Sequence, residues 1–451
     1  MPTNAYIEGK TDFVIESAIF STDVTTPETT YDIARIISDL TIFEHLDKPY
    51  LTGEVSFVDY YSIIHKIDFQ GGEKLTVTLK STHNPSGAVS ITKTFYVEKI
   101  NKSVKVNDQT ETVFLRLIED IGFVSSVKNV NKSYTGDPYS IVNNIFSSYL
   151  NRNVLRNNIP HQSQMKVIVP NMHPIEAATW VNQKATNSDG LPFYLFSVLV
   201  DNDIRMYSLG NMLNSEPINK NIPYFYWQSG SQAPTDNKYY AVQSYSYENV
   251  DHLLSLIRAG VVGSNYTFYD TLHGNRHTVD FDVADDAFGM LTQQQYITGN
   301  QSRHIYSQGY KVDGRNISNY NSTGCSRVYS SAAYNSHKTI SQENSEGDYK
   351  KRLVGYALKN FMTKTPLTIQ VSGRDFIMGE NRGDNHRSIG NVIRVLFADA
   401  DTQPSIANSI DKKKSGDYII YAAKHKFSKE RYDTQLLCTK LASYKEDPSL
   451  R

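Results

Sequence analysis

Apolar and polar positions alternate with a period of two at several places in the first hundred or so residues, as strands with one buried face require. Lys74-Leu75-Thr76-Val77-Thr78-Leu79-Lys80 is the cleanest case: Leu75, Val77 and Leu79 are expected to face a core, and Thr76 and Thr78 to face out. Gly71-Gly72-Glu73 breaks the chain just before it. Residues 54–59 also alternate, with Val55 and Phe57 on one face, after the turn Lys48-Pro49-Tyr50-Leu51-Thr52-Gly53. Residues 30–45 mix the two kinds of position without a clear period. Two further runs, TKTFYVEKI and KVNDQTETVFLRLIE, read as antiparallel strands turning at Asn107-Asp108-Gln109. Short strands with frequent turn signals point to a small barrel or sandwich.

Near residue 135 the period changes. Asp137-Pro138 is a helix start, Asp as the cap and Pro at the first helical position. Ile141, Val142, Ile145, Tyr149 and Leu150 then share a helical face. Val167-Ile168-Val169 is a short strand stopped by Pro170. Pro174 opens a second helix through Ile175, Ala178, Val181 and Ala185, ended by Ser188-Asp189-Gly190. LPFYLFSVLV (191–200) is apolar enough for a buried strand, and residues 204–209 return after the turn Asp201-Asn202-Asp203. The β pattern resumes between 240 and 290, for example at Thr278-Val279-Asp280-Phe281-Asp282-Val283. Residues 298–347 are rich in Asn, Ser, Tyr and Gly without a sustained period; a long loop, polar-faced strands and partial disorder all fit. Asp348 starts a third helix carrying Leu353, Val354, Ala357, Leu358 and Phe361, and strands follow at 367–371, 391–397, 418–423 and 434–441.

Composition narrows the class. At 451 residues there is enough chain for about three domains and a substantial core. Lys+Arg 46 against Asp+Glu 47 leaves a net charge of -1, so no charge excess advertises nucleic acid or an anionic membrane. A near-neutral surface eases self-association. Cys325 and Cys438 lie in unlike contexts, which reads as a reduced protein rather than a disulfide pair. The opening MPTNAYIEGKTDFVIES has no signal-peptide pattern, and no apolar run is long enough to span a bilayer. Tyr is abundant, 31 against 19 Phe and 2 Trp; it suits protein-contacting surfaces and strands alike.

The last β region repeats the rhythm of the first. Tyr96 and Phe114 stand at the same separation as Tyr418 and Leu436, with Thr112 and Thr434 at matching places. Gly71-Gly72 precedes one strand and Gly390 the other. The expectation is an α+β, β-dominated chain: two related antiparallel β-barrels in tandem with an α+β insert. The boundaries are 1–125 for the first barrel, 126–235 for the insert, 236–297 for a β region starting the second barrel, 298–365 for an irregular and helical insert, and 366–451 for its completion.

Three stretches carry a resemblance: LTIFEHLDKPYLTGEVSFVDYYSIIHKIDFQGGEKLTVTLK, VIVPNMHPIEAATWVNQKA followed by LPFYLFS, and SGDYIIYAAKHKFSKERYDTQLLCTKL. Together they resemble the baseplate hub proteins of contractile-tailed phages, and more distantly the late-control family and the base of type VI secretion spikes. The resemblance implies a homotrimeric ring with pseudo-sixfold symmetry that joins a sixfold tail tube to a threefold central spike. It further implies as partners a tail tube or tube-initiator protein, the central spike protein and surrounding wedge proteins, with the chain located in the virion tail after assembly in the host cytoplasm. Contact with nucleic acid or membrane is not part of that expectation.

Chemical motifs are few. His273 and His277 are four apart, but Gly274 and the β context argue against a metal-binding helix. Asp280, Asp282, Asp285 and Asp286 could be a calcium cluster or a solvated face; no Glu closes a calcium loop. There is no GxGxxG opening a helix, no GxxxxGK[ST] and no GxSxG. Cys438 reads as packed, Arg382-Gly383-Asp384 as turn chemistry and Lys412-Lys413-Lys414 as a solvated loop. No catalytic, cofactor-binding or metal-ligating residue and no cofactor is therefore assigned. A tail-associated carbohydrate-binding or peptidoglycan-degrading module is the alternative, since Tyr-rich β surfaces suit sugar stacking.

Overall fold

The computed structural model of the chain describes residues 13–22, 29–67, 71–82, 90–107, 110–157, 165–226, 240–248, 253–269, 276–296, 311–316, 329–330, 346–364, 366–377, 385–398, 410–411, 414–428 and 431–441. The first half builds seven strands: β1 (Phe13–Thr22), β2 (Thr29–Asp32), β3 (Ile37–His45), β4 (Thr52–Asp59), β5 (Lys74–Ser81), β6 (Ser90–Asn107) and β7 (Thr110–Glu119). On β5 the predicted alternation is exact in kind: Leu75, Val77 and Leu79 are buried. Its outer face carries Thr76 and Thr78, whose hydroxyls meet those of Thr94 and Thr92 on β6 at 3.2 and 3.1 Å. The hairpin of β6 and β7 forms with Asn107 opposite Thr110; Asp108 and Gln109 of the expected turn lie outside the described residues.

The middle of the chain is the α+β portion. It runs from α2 (Asp120–Ser126), preceded by the short α1 (Ile63–Ile67), through β8 (Val130–Gly136), α3 (Pro138–Ile145), β9 (Val154–Arg156) and β10 (Met165–Met172). It continues with α4 (Pro174–Asn182), β11 (Phe193–Ser197), β12 (Ile204–Ser208) and α5 (Leu209–Asn214). Asp137 caps α3 as expected, its carboxylate accepting from Ser140 N at 3.1 Å, with Pro138 at the first turn. The helical run continues as a π turn, Phe146–Leu150, and stops at Asn151 in the left-handed region. Ile141, Val142, Ile145, Ala178 and Val181 meet in a hydrophobic core separate from that of the large sheet. α4 stops at Asn182, short of the expected Ala185; Gly190 lies in the later turn before β11 at φ +87°, and a Cβ there would stand 2.9 Å from the Lys351 backbone, so both conformation and space select glycine.

The remaining strands are β13 (Tyr224–Tyr226), β14 (Ser244–Tyr247), β15 (Gly263–Tyr269), β16 (Arg276–Asp282), β17 (Lys311–Val312), β18 (Arg315–Asn316), β19 (Tyr329–Ser330), β20 (Leu367–Ser372), β21 (Val392–Phe397), β22 (Gly416–Ser428) and β23 (Arg431–Thr439). Between them lie α6 (Leu253–Arg258), α7 (Met290–Gln293) and α8 (Glu346–Met362), on which Leu353, Val354, Ala357, Leu358 and Phe361 are buried as their spacing predicts. From the stretch 236–297, β14 enters the large sheet whereas β15 and β16 form a sheet of their own with β19. Of the irregular stretch 298–347, the β17–β18 hairpin, β19 and the first two residues of α8 are described.

The fold is thus β-dominated α+β, and its centre is one large sheet rather than two separate ones. Strand order runs β14-β20-β23-β22-β3-β4-β7-β6-β5-β1-β2, with β21 and β13 branching from β22. Within it the order β3-β4-β7-β6-β5-β1 is matched by β14-β20-β23-β22-β21-β13. The six strands of each set also follow one another in the same order along the chain. The matched pairs run antiparallel in both sets except the last, antiparallel for β1–β5 and parallel for β13–β21. Tyr96 and Tyr418, which share a spacing in the sequence, fall on β6 and β22, strands of matching place in the two orders.

Candidate functional site

The two matched sets meet where β3 pairs antiparallel with the second half of β22, from Ala422 opposite His45 to Ser428 opposite Asp39. Strand periodicity places Leu40, Ile42 and Glu44 on one side of β3, and Ala423, His425 and Phe427 on one side of β22; all six are buried. An acid and an imidazole therefore enter the core together. Glu44 is 1% exposed and His425 0%. Their Nε2–Oε2 separation is 3.3 Å, close enough for an ion pair though off the line of a good hydrogen bond. His425 Nδ1 is held by the hydroxyls of Tyr432 at 2.8 Å and Thr434 at 3.2 Å, both on β23.

The same carboxylate reaches two further parts of the molecule. Leu199 N donates to Glu44 Oε1, and Ser388 Oγ donates to Oε2. Leu199 belongs to the connector between β11 and β12, and Ser388 to the segment leading into β21. Burial alone would raise the Glu44 pKa, but the opposing charge of His425, with the hydrogen bonds from Ser388 and Leu199, outweighs it and holds the group below the usual carboxylate range. One side chain thus ties the first strand set, the second set and the β11–β12 connector together.

A second buried tie lies alongside. Lys93 on β6 and Glu119 at the end of β7, each 3% exposed, pair at 2.8 Å. Lys93 also donates to Asp201 O at 2.6 Å, and Glu119 accepts from Leu51 N at 2.8 Å. Asp201 in turn binds Arg205, a fully buried guanidinium, through two hydrogen bonds of 2.9 and 2.6 Å. The connector 198–203 is therefore clamped to the sheet at both Glu44 and Lys93. Such buried pairs fix geometry more than they add stability, because desolvation offsets much of their attraction.

The outer face of the seam is an open cleft of about 550 Å³, lined among others by Phe43, His45, Tyr50, Arg116, Lys424 and Leu437. Lys424 stands over the Phe43 ring at 5.6 Å across the β3–β22 pair.

Positions singled out in the sequence fall elsewhere. Asp280 accepts from Asn265, Asp282 caps the turn at Ala284 N, and Asp286 meets Lys350 at 3.4 Å and Asp282 N at 2.9 Å, so these carboxylates serve local structure. Among the described residues no group of three or more His, Cys, Asp or Glu is placed to hold a metal. His273, Cys325 and Arg382-Gly383-Asp384 lie outside the described residues, as do Lys412 and Lys413. Cys438 is buried on β23, where burial pushes its thiol pKa far up. No helix of the described residues is long and apolar enough to cross a membrane. Glu44, His425, Lys93 and Glu119 carried no motif. The signal that marks them is parity: Lys93, for instance, shares the buried side of β6 with Ile91, Phe95 and Val97.

No family model matches the chain, and no curated protein matches it in sequence. Among solved structures, the chain is similar to a tail protein from Neisseria meningitidis at 10% identity and TM-score 0.48, covering 94% of this chain and 96% of that one. It is similar to a 43 kDa tail protein of prophage MuSo2 from Shewanella oneidensis at 9% identity and TM-score 0.46, covering 94% and 98%. An E. coli component of the type VI secretion system matches at 8% identity and TM-score 0.42, covering 97% of this chain and 79% of its own.

Proposed function

We propose that this chain is the structural hub subunit of a contractile phage tail baseplate, acting by assembly and without catalysis. Three copies form a ring in which each contributes two related units, so the ring presents six similar surfaces to a tail tube and threefold symmetry to a central spike. The observation that carries this reading is the duplicated strand order, β3-β4-β7-β6-β5-β1 and β14-β20-β23-β22-β21-β13. A chain with two equivalent units side by side is what matching six to three requires. The three sequence stretches that resemble baseplate hubs fall in the first unit, the insert and the second unit.

Each unit is read as a small barrel. In the first, β2 leads into β3 and also pairs with β1, and Ile33 N donates to Ala18 O at 2.8 Å. In the second, the residues leading into β14 return to β13 by a bridge between Phe225 and Ala241, and Val242 N donates to Phe225 O at 2.8 Å. In both units the residues leading into the outer strand thus return toward the first strand, by an antiparallel ladder in one and a single parallel bridge in the other. The tube or its initiator, the spike and the surrounding wedge proteins are the partners of this reading, in a virion tail assembled in the host cytoplasm.

Light scattering on the purified chain, alone and mixed with a co-expressed spike protein, tests it. The expected mass is three times the 51.1 kDa of one chain, and a monomer under both conditions at micromolar concentration would overturn the ring.

A further inference from the structure

The seam inside one chain supplies a template for a contact between chains. In the second unit, β21 pairs with the first part of β22, as far as Ile419, and β3 covers the part from Ala422 to Ser428. In the first unit, β5 pairs with β6 from Ser90 to Tyr96. Beyond Val97, which exchanges backbone hydrogen bonds with Glu73 and Gly72, β6 continues for a further ten residues with β7 on one edge, and no described strand pairs with the other. Matched through their partners on β7 and β23, this stretch of β6 corresponds to the part of β22 that β3 covers.

The two stretches differ in burial as covered and uncovered strands should. Ala423, His425 and Phe427 are buried on β22, whereas the last ten residues of β6 are exposed, with Ile100 at 38%, Val104 at 46% and Val106 at 63%. An extended edge carrying β-branched apolar residues is a template for another strand. The strand of matching place is β14, the counterpart of β3. It pairs with β20 on one side and ends the order of the large sheet on the other.

We infer that the β14 edge of one copy pairs antiparallel with the second half of β6 of the next copy, repeating between chains the β3–β22 seam within a chain. The occupant is a second copy because the covering strand is already present in this chain, in the equivalent unit, with its outer edge in the equivalent place. Each copy offers one edge of each kind, so the contact is head-to-tail. Because the step between chains repeats the step within a chain, successive copies turn by a constant angle, as a closed ring requires. This inference rests on the ring reading above and assigns its interface.

Disulfide trapping tests it, in a Cys325→Ser background with Cys438 left buried. Val104→Cys on β6 and Ser246→Cys on β14 are made as two single variants and one double variant, with Ser103→Cys as a second probe on the opposite face of β6. On mild oxidation, mixed single variants are expected to give a covalent dimer in non-reducing gels, and the double variant a ladder ending at the ring. Neither single variant alone is expected to cross-link. A trimer by mass with no mixed cross-link from either β6 probe would overturn this interface and leave the ring reading standing. A Val104→Cys self-dimer would overturn it in favour of twofold pairing of β6 edges. A monomer by mass would overturn both.

Discussion

Single residues in this chain divide by strand parity, and the charged ones on the buried side carry its electrostatics. Lys440, just after β23, is 5% exposed; its ammonium donates to Ser415 O at 2.7 Å and lies over the Tyr418 ring at 4.6 Å. Burial brings its pKa down to about 7, against the opposing pull of Asp411 and Asp417. The folded value lies below the unfolded one, so the penalty of burying the charge is complete below pH 7. It is relieved as pH rises from there toward the unfolded pKa, because the native state sheds the proton while the unfolded chain keeps it. Between pH 7 and 9 this group should add stability on the order of 2 kcal/mol. Denaturant melts of the wild type and Lys440→Met across that range check it: the difference between them should shrink or reverse as pH rises, and parallel curves would refute it.

Elements show where the sequence could be read and where it could not. Strands with one buried face, such as β5, and helices with a clean stripe, such as α8, were legible because one surface decides each alternate position. Residues 30–45 were not, since β3 inverts the expected chemistry: the acid Glu44 is buried while the aromatic Phe43 lines the open cleft. Its partner β22 lies more than 370 residues away in sequence, and no local pattern encodes that pairing. The seam also depends on one acid that read as an ordinary polar position. Glu44→Gln removes the charge opposite His425 while keeping the side chain's size, and it should cost about 3–5 kcal/mol as expected when one partner of a buried pair is lost. The direction of the Glu44 shift adds a pH signature. A carboxylate held below its unfolded value contributes stability above pH 4.5 that disappears as pH falls through the folded value. Thermal melts should therefore show the wild type losing its advantage over Glu44→Gln in acid, and an advantage that is constant down to pH 3 would show that the carboxylate is not the tie.

At the scale of the whole molecule, the duplication was visible in the sequence only as a shared spacing around Tyr96 and Tyr418; the strand orders make it a property of the fold. What the spacing could not reveal is that the two strand sets share a sheet, with the β11–β12 connector clamped to the seam by Glu44 and Lys93. That arrangement fixes the angle between units, and in a ring the angle fixes how many copies close. The forces at the joints can be separated by salt. The net charge is -1, and the joint inferred between copies rests on backbone pairing, with Ile100, Val104 and Val106 beside Lys99, Lys102 and Lys105 on β6; ionic screening does not weaken strand pairing. Screening shortens from about 10 Å at 0.1 M to about 3 Å at 1 M ionic strength, enough to dissolve an assembly held by surface ion pairs. The ring mass measured by light scattering should therefore be the same in both conditions. Dissociation at the higher salt would assign the joint to charges such as Lys99 and Lys102 on β6, and strand pairing would then not be what holds the copies together.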